Sequence, residues 1–347
     1  MPHEQAHRED RAPCRLAVIT GDHAAADPTK PGAHYNPEDF VTHNAMVAAF
    51  ESLPGYAVEV INDHSGLIDR MRDAPPDLVV NFCDTGYRNQ PSRELNIPAY
   101  LELLEIPYTG ASPAAMVICY DKQIVRLVAE AQGLPVPKEA FVAADTPNAE
   151  LPRDFPALIK PNMADGSVGI TKDSVVRSAD EAAAYFGWLR RTLPGRDALF
   201  QEYLPGPEYG IGVIGNPEGV LTVLPALEVD FSALPAGLNP ILSYESKTDP
   251  ESPYWTDIRF KRAELPASLE AEMGRQAERL FARLGLRDYG RFDFRCAADG
   301  IPRLMEVNPN PAWANDGKLA FMAGFAGIDY PRMLEMIVEA ARFRTGA

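Results

Sequence analysis

Two strand-like runs, Tyr289–Cys296 and Arg303–Asn308, flank the turn residues Asp299-Gly300 and carry the densest chemistry of the chain. Alternate side chains of a strand share a face. Arg291 and Asp293 are therefore expected on one side of the first run, with Phe292 and Phe294 turned into a core. On the second run Glu306 and Asn308 share a face and Val307 opposes them. Two carboxylates and an amide can then converge beside an arginine. Hard oxygen donors of this kind suit Mg²⁺, which binds through a few carboxylates together with phosphate oxygens and water. The plain alternative is a surface hairpin with solvated charges. Asn308-Pro309-Asn310-Pro311 forms a rigid polar exit that such a hairpin does not need, which favours the metal reading.

Leu158-Ile159-Lys160-Pro161 precedes Gly166-Ser167-Val168-Gly169. A lysine closing a buried strand, followed by a glycine-rich turn, can set one cation and several backbone N–H groups on phosphate oxygens; an ordinary loop with an exposed lysine would read the same way. In Leu199–Glu208 a strand runs into Pro205-Gly206-Pro207. Backbone groups near Leu204 could meet an adenine edge there, with Glu208 placed for ribose hydroxyls. A tight turn with a solvated glutamate is the plain alternative. Gly210-Ile211-Gly212-Val213-Ile214-Gly215 matches the dinucleotide fingerprint, but that fingerprint must lie between a strand and a helix. Asn216-Pro217-Glu218-Gly219 instead turns into another strand, so no nicotinamide cofactor is implied.

These segments need scaffolds. Leu16–Thr20, Ala57–Ile61 and Leu78–Cys83 are short apolar runs, with helical periodicity over Phe40–Leu53 between the first two. Such alternation predicts a parallel sheet covered by helices, with ligands beyond the carboxyl ends of its strands. The loop Gly21–Asp39 is then placed to touch substrate. A helix over Asp121–Gln132, closed by Gly133, opens a small α+β region with strands near 141–143, 157–160 and 170–176 and a helix over Asp180–Leu193 capped by Ser178. Strands follow at 198–203, 208–214 and 220–229. Phe231–Asp257, rich in Pro, Ser and Asp, is expected to be a flap or a disordered segment. Helices are expected over 266–284, 317–326 and 330–343.

The chain of 347 residues is long enough for two or three lobes with real cores. Its net charge of −16 argues against a nucleic-acid partner, which would want clustered cations, but leaves room for a nucleotide held by a few local ones. Four scattered cysteines without C-x-x-C spacing disfavour a zinc site or a disulfide framework and fit a reducing compartment. No apolar run approaches the roughly 20 residues of a membrane span. The polar first 13 residues lack the apolar stretch of a signal peptide and read as a disordered tail, so a cytoplasmic protein is expected.

In this order the segments resemble ATP-grasp enzymes of the D-alanine–D-alanine ligase type. Ile106-Pro107-Tyr108-Thr109-Gly110-Ala111 and Tyr120-Asp121-Lys122 match that family's I-P-Y-T-G turn and D-K pair. The resemblance runs from about Leu16 to the C-terminus. It implies an α/β and α+β ATP-grasp fold: a Rossmann-like parallel-sheet domain over 14–112, a lid lobe over 113–200, and a C-terminal lobe over 201–347 with a mobile loop at 231–257. By the same resemblance Lys122 and Lys160 would hold ATP phosphates, Gln201 would face the adenine amino group, and Glu202 would also belong to the nucleotide site. Leu204 would bond the base through its backbone, and Glu208 the ribose. Asp293, Glu306 and Asn308 would bind two magnesium ions, with manganese as the alternative metal. Lys247 would reach the γ-phosphate, and Glu38 would grip the first substrate's ammonium. Arg291, with the N–H groups of Gly166 and Ser167, would stabilise an oxyanion. A homodimer is implied as well.

The departures lie on the substrate side. The family's H-G-x-x-G-E-D-G segment is here Asn81-Phe82-Cys83-Asp84-Thr85-Gly86-Tyr87-Arg88, and P-G-x-T reads Pro311-Ala312-Trp313-Ala314. The serine and leucine that help hold the second substrate align with Gly317 and Lys318, and a loop tyrosine aligns with Thr248. Lys318, beside Ala312, is therefore expected to replace lost contacts to the second substrate; a solvated lysine or a bare helix N-terminus are the alternatives. The reading is an ADP-forming ligase that joins a carboxylate to an amine through an acyl phosphate, acting on amino-acid-like substrates. An ester-forming ligase and a non-catalytic nucleotide-binding regulator are its rivals.

Overall fold

The computed structural model describes residues 12–27, 30–146, 149–164 and 166–347. The expected tail over 1–13 lies outside them except for its last two residues. Strands β1 (Cys14–Ile19), β2 (Tyr56–Ile61) and β3 (Leu78–Asn81) form a parallel sheet in the order β2-β1-β3. Both faces of β1 are covered, as parallel sheets require. Leu16 and Val18 pack with Met46 and Phe50 of the helix Pro37–Glu51, while Ala17 and Ile19 pack with Leu67, Met71 and Leu101 on the other side. That first helix starts before Phe40 because Asn36 and Asp39 close a capping box around Pro37 at its first position.

The second sheet is antiparallel: β4 (Glu139–Val142), β5 (Ala157–Pro161), β6 (Val175–Val176) and β7 (Ala198–Glu202), ordered β4-β7-β5-β6. The helix Ala179–Thr192 covers one face, with the Ser178 side chain accepting from Glu181 N–H. The strand expected over 170–176 survives only as Val175–Val176, because Ser167–Ile170 and Thr171–Ser174 close into turns first. Two expected boundaries shift. The division at 200/201 cuts β7, which stays paired with β4 as far as Gln201 and with β5 as far as Glu202. Residues 119–134 bury Cys119, Val125, Ala129 and Leu134 against Phe281, Phe292 and Phe294, which belong to the third sheet's core.

That third sheet holds β8 (Glu208–Gly215), β9 (Leu221–Val223), β10 (Leu227–Asp230), β11 (Arg259–Arg262), β12 (Asp288–Cys296) and β13 (Pro302–Asn308) in the order β11-β10-β8-β12-β13, with β9 beside β8. One face packs on the amphipathic helix Ala267–Arg283 through Met273, Ala277, Leu280 and Phe281. The fingerprint-like glycines of β8 serve packing: a Cβ on Gly212 would come within 2.8 Å of Leu319 Cδ1 on the helix Lys318–Phe325. Gly215 turns the chain at φ +121 against Val220. The segment 231–257 is folded, with helical turns at Glu245–Thr248 and Pro253–Thr256. Tyr254 donates its hydroxyl to Asn239 O at 3.0 Å, and Tyr244 N–H bonds Ile170 O at 2.7 Å.

The sheets are tied together at Asp288, a fully buried carboxylate at φ +66. It accepts from Gly110 N–H at 2.9 Å, from Asn216 Nδ2 at 3.0 Å and from Arg344 at 2.7 Å and 3.1 Å. Arg344, on the helix Tyr330–Thr345, also donates to Tyr108 O at 2.8 Å, and Arg287 donates to Gly110 O. The I-P-Y-T-G-A turn is thus bolted to the start of β12. Asp288→Asn keeps a residue that tolerates the left-handed backbone and removes only the charge. We expect it to cost about 3 kcal/mol in urea denaturation, the low end for breaking a buried pair; an unchanged midpoint would refute the role assigned to this carboxylate.

Candidate active site

Between the second and third sheets lies a cavity of about 370 Å³. Lys122, Lys160, Gly166, Ser167, Gln201, Glu202, Leu204, Glu208, Lys247, Arg291, Asp293, Glu306, Asn308, Ala312 and Lys318 all line it. Six cations and five carboxylates share this wall although the whole chain carries −16, so the cavity is a local cationic patch fit for an anionic ligand.

The hairpin behaves as its alternation requires. Phe292, Phe294 and Val307 are buried in the core, and the register sets Arg291 opposite Asn308 and Asp293 opposite Glu306. A β-bulge directly after Asp293 shifts the register, so that Phe294 pairs with Leu304. Arg291 grips Asp293 with two bonds of 2.9 Å, and Asn308 Nδ2 donates to Asp293 Oδ2 at 3.2 Å. Burial pushes the Asp293 carboxyl up, but Arg291 and Lys318 outweigh it and hold the group well below the usual carboxylate range. Asn308 Oδ1 takes no hydrogen bond among the described residues.

Across the cavity, β5 delivers Lys160 and the turn after it delivers the glycine-rich segment. Burial, and then the neighbouring Lys122, lowers Lys160 to about 8. It donates to Gln201 Oε1 at 3.2 Å, and Gln201 Nε2 donates to Glu139 at 2.8 Å, so this amide is oriented by a cation on one end and a carboxylate on the other. Lys122 bonds Ala164 O and stands 3.8 Å from Glu306. Gly166 and Ser167 lie at φ +64 and +61, and among the described residues no hydrogen bond uses the N–H of Ser167, Val168 or Gly169. Phosphate-like oxygens suit such a cradle.

At the far end, Leu204 N–H makes no hydrogen bond among the described residues, while its carbonyl accepts from Arg295 Nε at 2.6 Å. Arg295, 3% exposed, also donates to Glu208 Oε2 at 3.2 Å. Burial raises the Glu208 pKa, against the pull of Lys318 and Arg295. The Glu202 side chain turns away, accepting from Lys138 N–H and Arg303, so only its backbone faces the cavity. Tyr254, Trp255 and Ile258 from the folded 231–257 segment and its exit, with Phe260 of β11, add an apolar wall beside Lys247.

The structure does not bring Glu38 to this cavity: it is exposed on the first turn of the helix Pro37–Glu51. The loop Gly21–Asp39 instead closes on Asn89, whose Oδ1 accepts from Asp22 N–H, Thr85 and Tyr35. Sequence reasoning missed Arg295 and Phe260. Arg295 continues the alternation of Arg291 and Asp293 by one more step, so its signal was present.

Residues 130–339 match the family described as D-ala D-ala ligase C-terminus, which is more than half of the chain. The chain belongs to the D-alanine–D-alanine ligase family. A D-alanine–D-alanine ligase of Laribacter hongkongensis is 32% identical over 70% of this chain and 72% of its own. An uncharacterized protein, y4sG, of Sinorhizobium fredii is 26% identical over 87% of each. The crystal structure of D-alanine–D-alanine ligase from Bacillus anthracis complexed with ATP shares the fold at a TM-score of 0.71 and 22% identity, covering 96% of this chain and 99% of that one. The VanG D-Ala:D-Ser ligase from Enterococcus faecalis shares it at 0.68 and 19%, over 95% and 99%. The fold is therefore ATP-grasp, with mixed α/β content.

Within this ligase-family site the Arg295–Glu208 pair is testable by itself. Arg295→Met leaves Glu208 buried with one distant cation and is expected to lose about 3–5 kcal/mol of stability. Adding Glu208→Gln should recover most of it, because no uncompensated charge then remains. Chemical denaturation of both variants decides; a double variant as weak as the single one would contradict the pairing.

Proposed function

We propose that the protein is an ATP-dependent, ADP-forming ligase that joins the carboxylate of one small amino-acid-like substrate to the amine of another. The supporting observation is the convergence, in one cationic cavity, of a phosphate cradle (Lys122, Lys160, Gly166, Ser167), a base-and-ribose end (the Leu204 N–H, Glu208) and an oxygen-donor hairpin (Asp293, Glu306, Asn308). A carboxylate oxygen attacks the γ-phosphorus and ADP leaves. The amine nitrogen then attacks the acyl carbon, loses its proton, and phosphate departs. Lys122, Lys160 and Lys247 carry the phosphate charge, and Arg291 with the free N–H groups of the glycine-rich turn meets the oxyanion. Held in line, the two reactants gain a large effective molarity.

Asp293, Glu306 and the unbonded Asn308 Oδ1 are the hard donors that magnesium takes, so they fit two such ions, manganese being the alternative. Bound there, the metal supplies charge neutralisation on the transferring phosphate. Of the substrate contacts that the resemblance implies, Ala312 and Lys318 line the cavity, and Glu38, exposed outside it, is not carried into this reading. Three lobes, with β7 kept whole in the second and residues 119–134 counted with the third, belong to the same reading, as do a homodimer and a cytoplasmic location. No helix among the described residues is long and apolar enough to cross a membrane. The rivals, an ester-forming ligase and a non-catalytic regulator, gain no observation here.

Phosphate release measured over a panel of amino-acid pairs, with product masses, tests the reaction. An amide-linked product and ADP are expected; a panel with no product and no ATP turnover would reject it. Asp293→Asn or Glu306→Gln should abolish that turnover with the circular dichroism spectrum kept, and wild-type-like rates at saturating magnesium would remove the metal assignment. A pH dependence follows from Lys160. It is charged below about 8 and neutral above, so ATP affinity should fall as pH rises through that value. Calorimetry should show this decline in the wild type and not in Lys160→Met; equal profiles would place the phosphates elsewhere.

A further inference from the structure

Lys318 is the residue whose placement departs most from what its sequence position suggests. It opens the helix Lys318–Phe325 directly after Gly317, where the second substrate was expected. Its ammonium points the other way. Nζ lies 4.0 Å from Glu208 Oε1 and 5.6 Å from the centroid of the Phe260 ring, and the side chain is only 12% exposed. A solvated surface lysine has no reason to adopt this pose, since a cation at a helix N-terminus opposes the macrodipole. Something else holds it, and Glu208 is the nearest carboxylate.

The two oxygens of Glu208 are used differently. Oε2 is taken by Arg295, whose Nε is already committed to Leu204 O. Oε1 takes no hydrogen bond among the described residues; Lys318 stands at charge-interaction distance rather than hydrogen-bond distance from it. Such an oxygen is left open to a hydroxyl donor, beside two cations that oppose the effect of burial on its carboxyl. The Lys318 ammonium also stands over the Phe260 ring, which holds it without drawing it onto the carboxylate.

We propose that Lys318 is a positioning residue for the nucleotide rather than a contact for the acceptor: with Arg295 it holds the Glu208 carboxyl in place with Oε1 open, so that this oxygen can accept from the ribose hydroxyls. This rests on the reading of Glu208 as the ribose-binding carboxylate. It places the charge gained at Lys318, where the family pattern has a leucine, in the service of the cosubstrate.

Calorimetry with ATP and with 2′,3′-dideoxy-ATP, both with magnesium, separates the possibilities without requiring a known acceptor. Lys318→Met should weaken ATP binding about tenfold and change dideoxy-ATP binding by less than about twofold, because only ATP uses Glu208. Lys318→Arg should restore most of the loss. Equal losses for the two nucleotides overturn the proposal, assigning the lysine to the phosphates or to the fold. An unchanged ATP affinity overturns it as well, returning the lysine to the acceptor. Glu208→Ala is the control on the underlying reading: if it weakens both nucleotides alike, the ribose assignment itself fails. If it weakens ATP alone while Lys318→Met does not, only the role of Lys318 fails.

Discussion

The buried carboxylate of Asp288 is the constraint on which the geometry of the molecule turns. An ionised group away from water persists only where donors surround it, and here they come from three places in the chain: Gly110, Asn216 and Arg344, while the Asp288 N–H donates in turn to Asn216 Oδ1. The parallel sheet, the large antiparallel sheet and the last helix are thereby fixed at one point. Asp293 lies five residues along the same strand. The distance from this knot to the hairpin that carries Asp293 and Asn308 is set by a continuous β-strand, so the hairpin is positioned as rigidly as its hydrogen-bonded neighbours allow. A second clamp, Asn310 on Ala111 N–H, repeats the device at the end of β13.

Charge within the cavity is organised in pairs rather than spread. Arg291 covers Asp293, Arg295 and Lys318 flank Glu208, and Lys122 faces Glu306. The buried acids Asp293 and Glu208 each have a cation, and Lys160 belongs to the cradle where phosphates are expected. A polyanion entering such a site meets compensated carboxylates instead of bare ones, which matters because like charges at close range in a low-dielectric cleft repel strongly. The apolar wall from the 231–257 segment lowers that dielectric further.

Much of this was legible from the residues alone, for identifiable reasons. The hairpin obeyed a period of two, so Arg291, Asp293, Glu306 and Asn308 fell on the expected face and Phe292, Phe294 and Val307 on the other. Caps were equally local: Ser178 and Gly133 end or begin helices as their chemistry dictates. Local signals failed where tertiary packing decides. Residues 231–257 read as a loop from their prolines and serines, yet two short helical turns form because Tyr254 and Ile241 are buried beneath them. The helices Leu67–Asp73, Asn96–Leu103 and Pro113–Tyr120 passed unnoticed, being too short to show a period. The direction of Lys318 was unreadable for another reason: a long side chain points wherever its counter-ion lies, and Glu208 is more than a hundred residues away in sequence.

The arrangement of the aromatic residues has an optical consequence. The chain contains three tryptophans, and each sits in a different working part. Trp188 packs beside Tyr185 on the helix that covers the second sheet. Trp255, 40% exposed, looks into the cavity from the folded segment. Trp313 stacks within 10° on Phe82 and donates its indole N–H to the Phe82 carbonyl, bridging the large sheet to the parallel one. The protein therefore carries its own set of emission probes: a solvent-sensitive indole lining the cavity, a half-buried one at the seam between sheets, and a third on the helix over the second sheet. Motion of any one part would shift the colour of its own fluorophore against two internal standards.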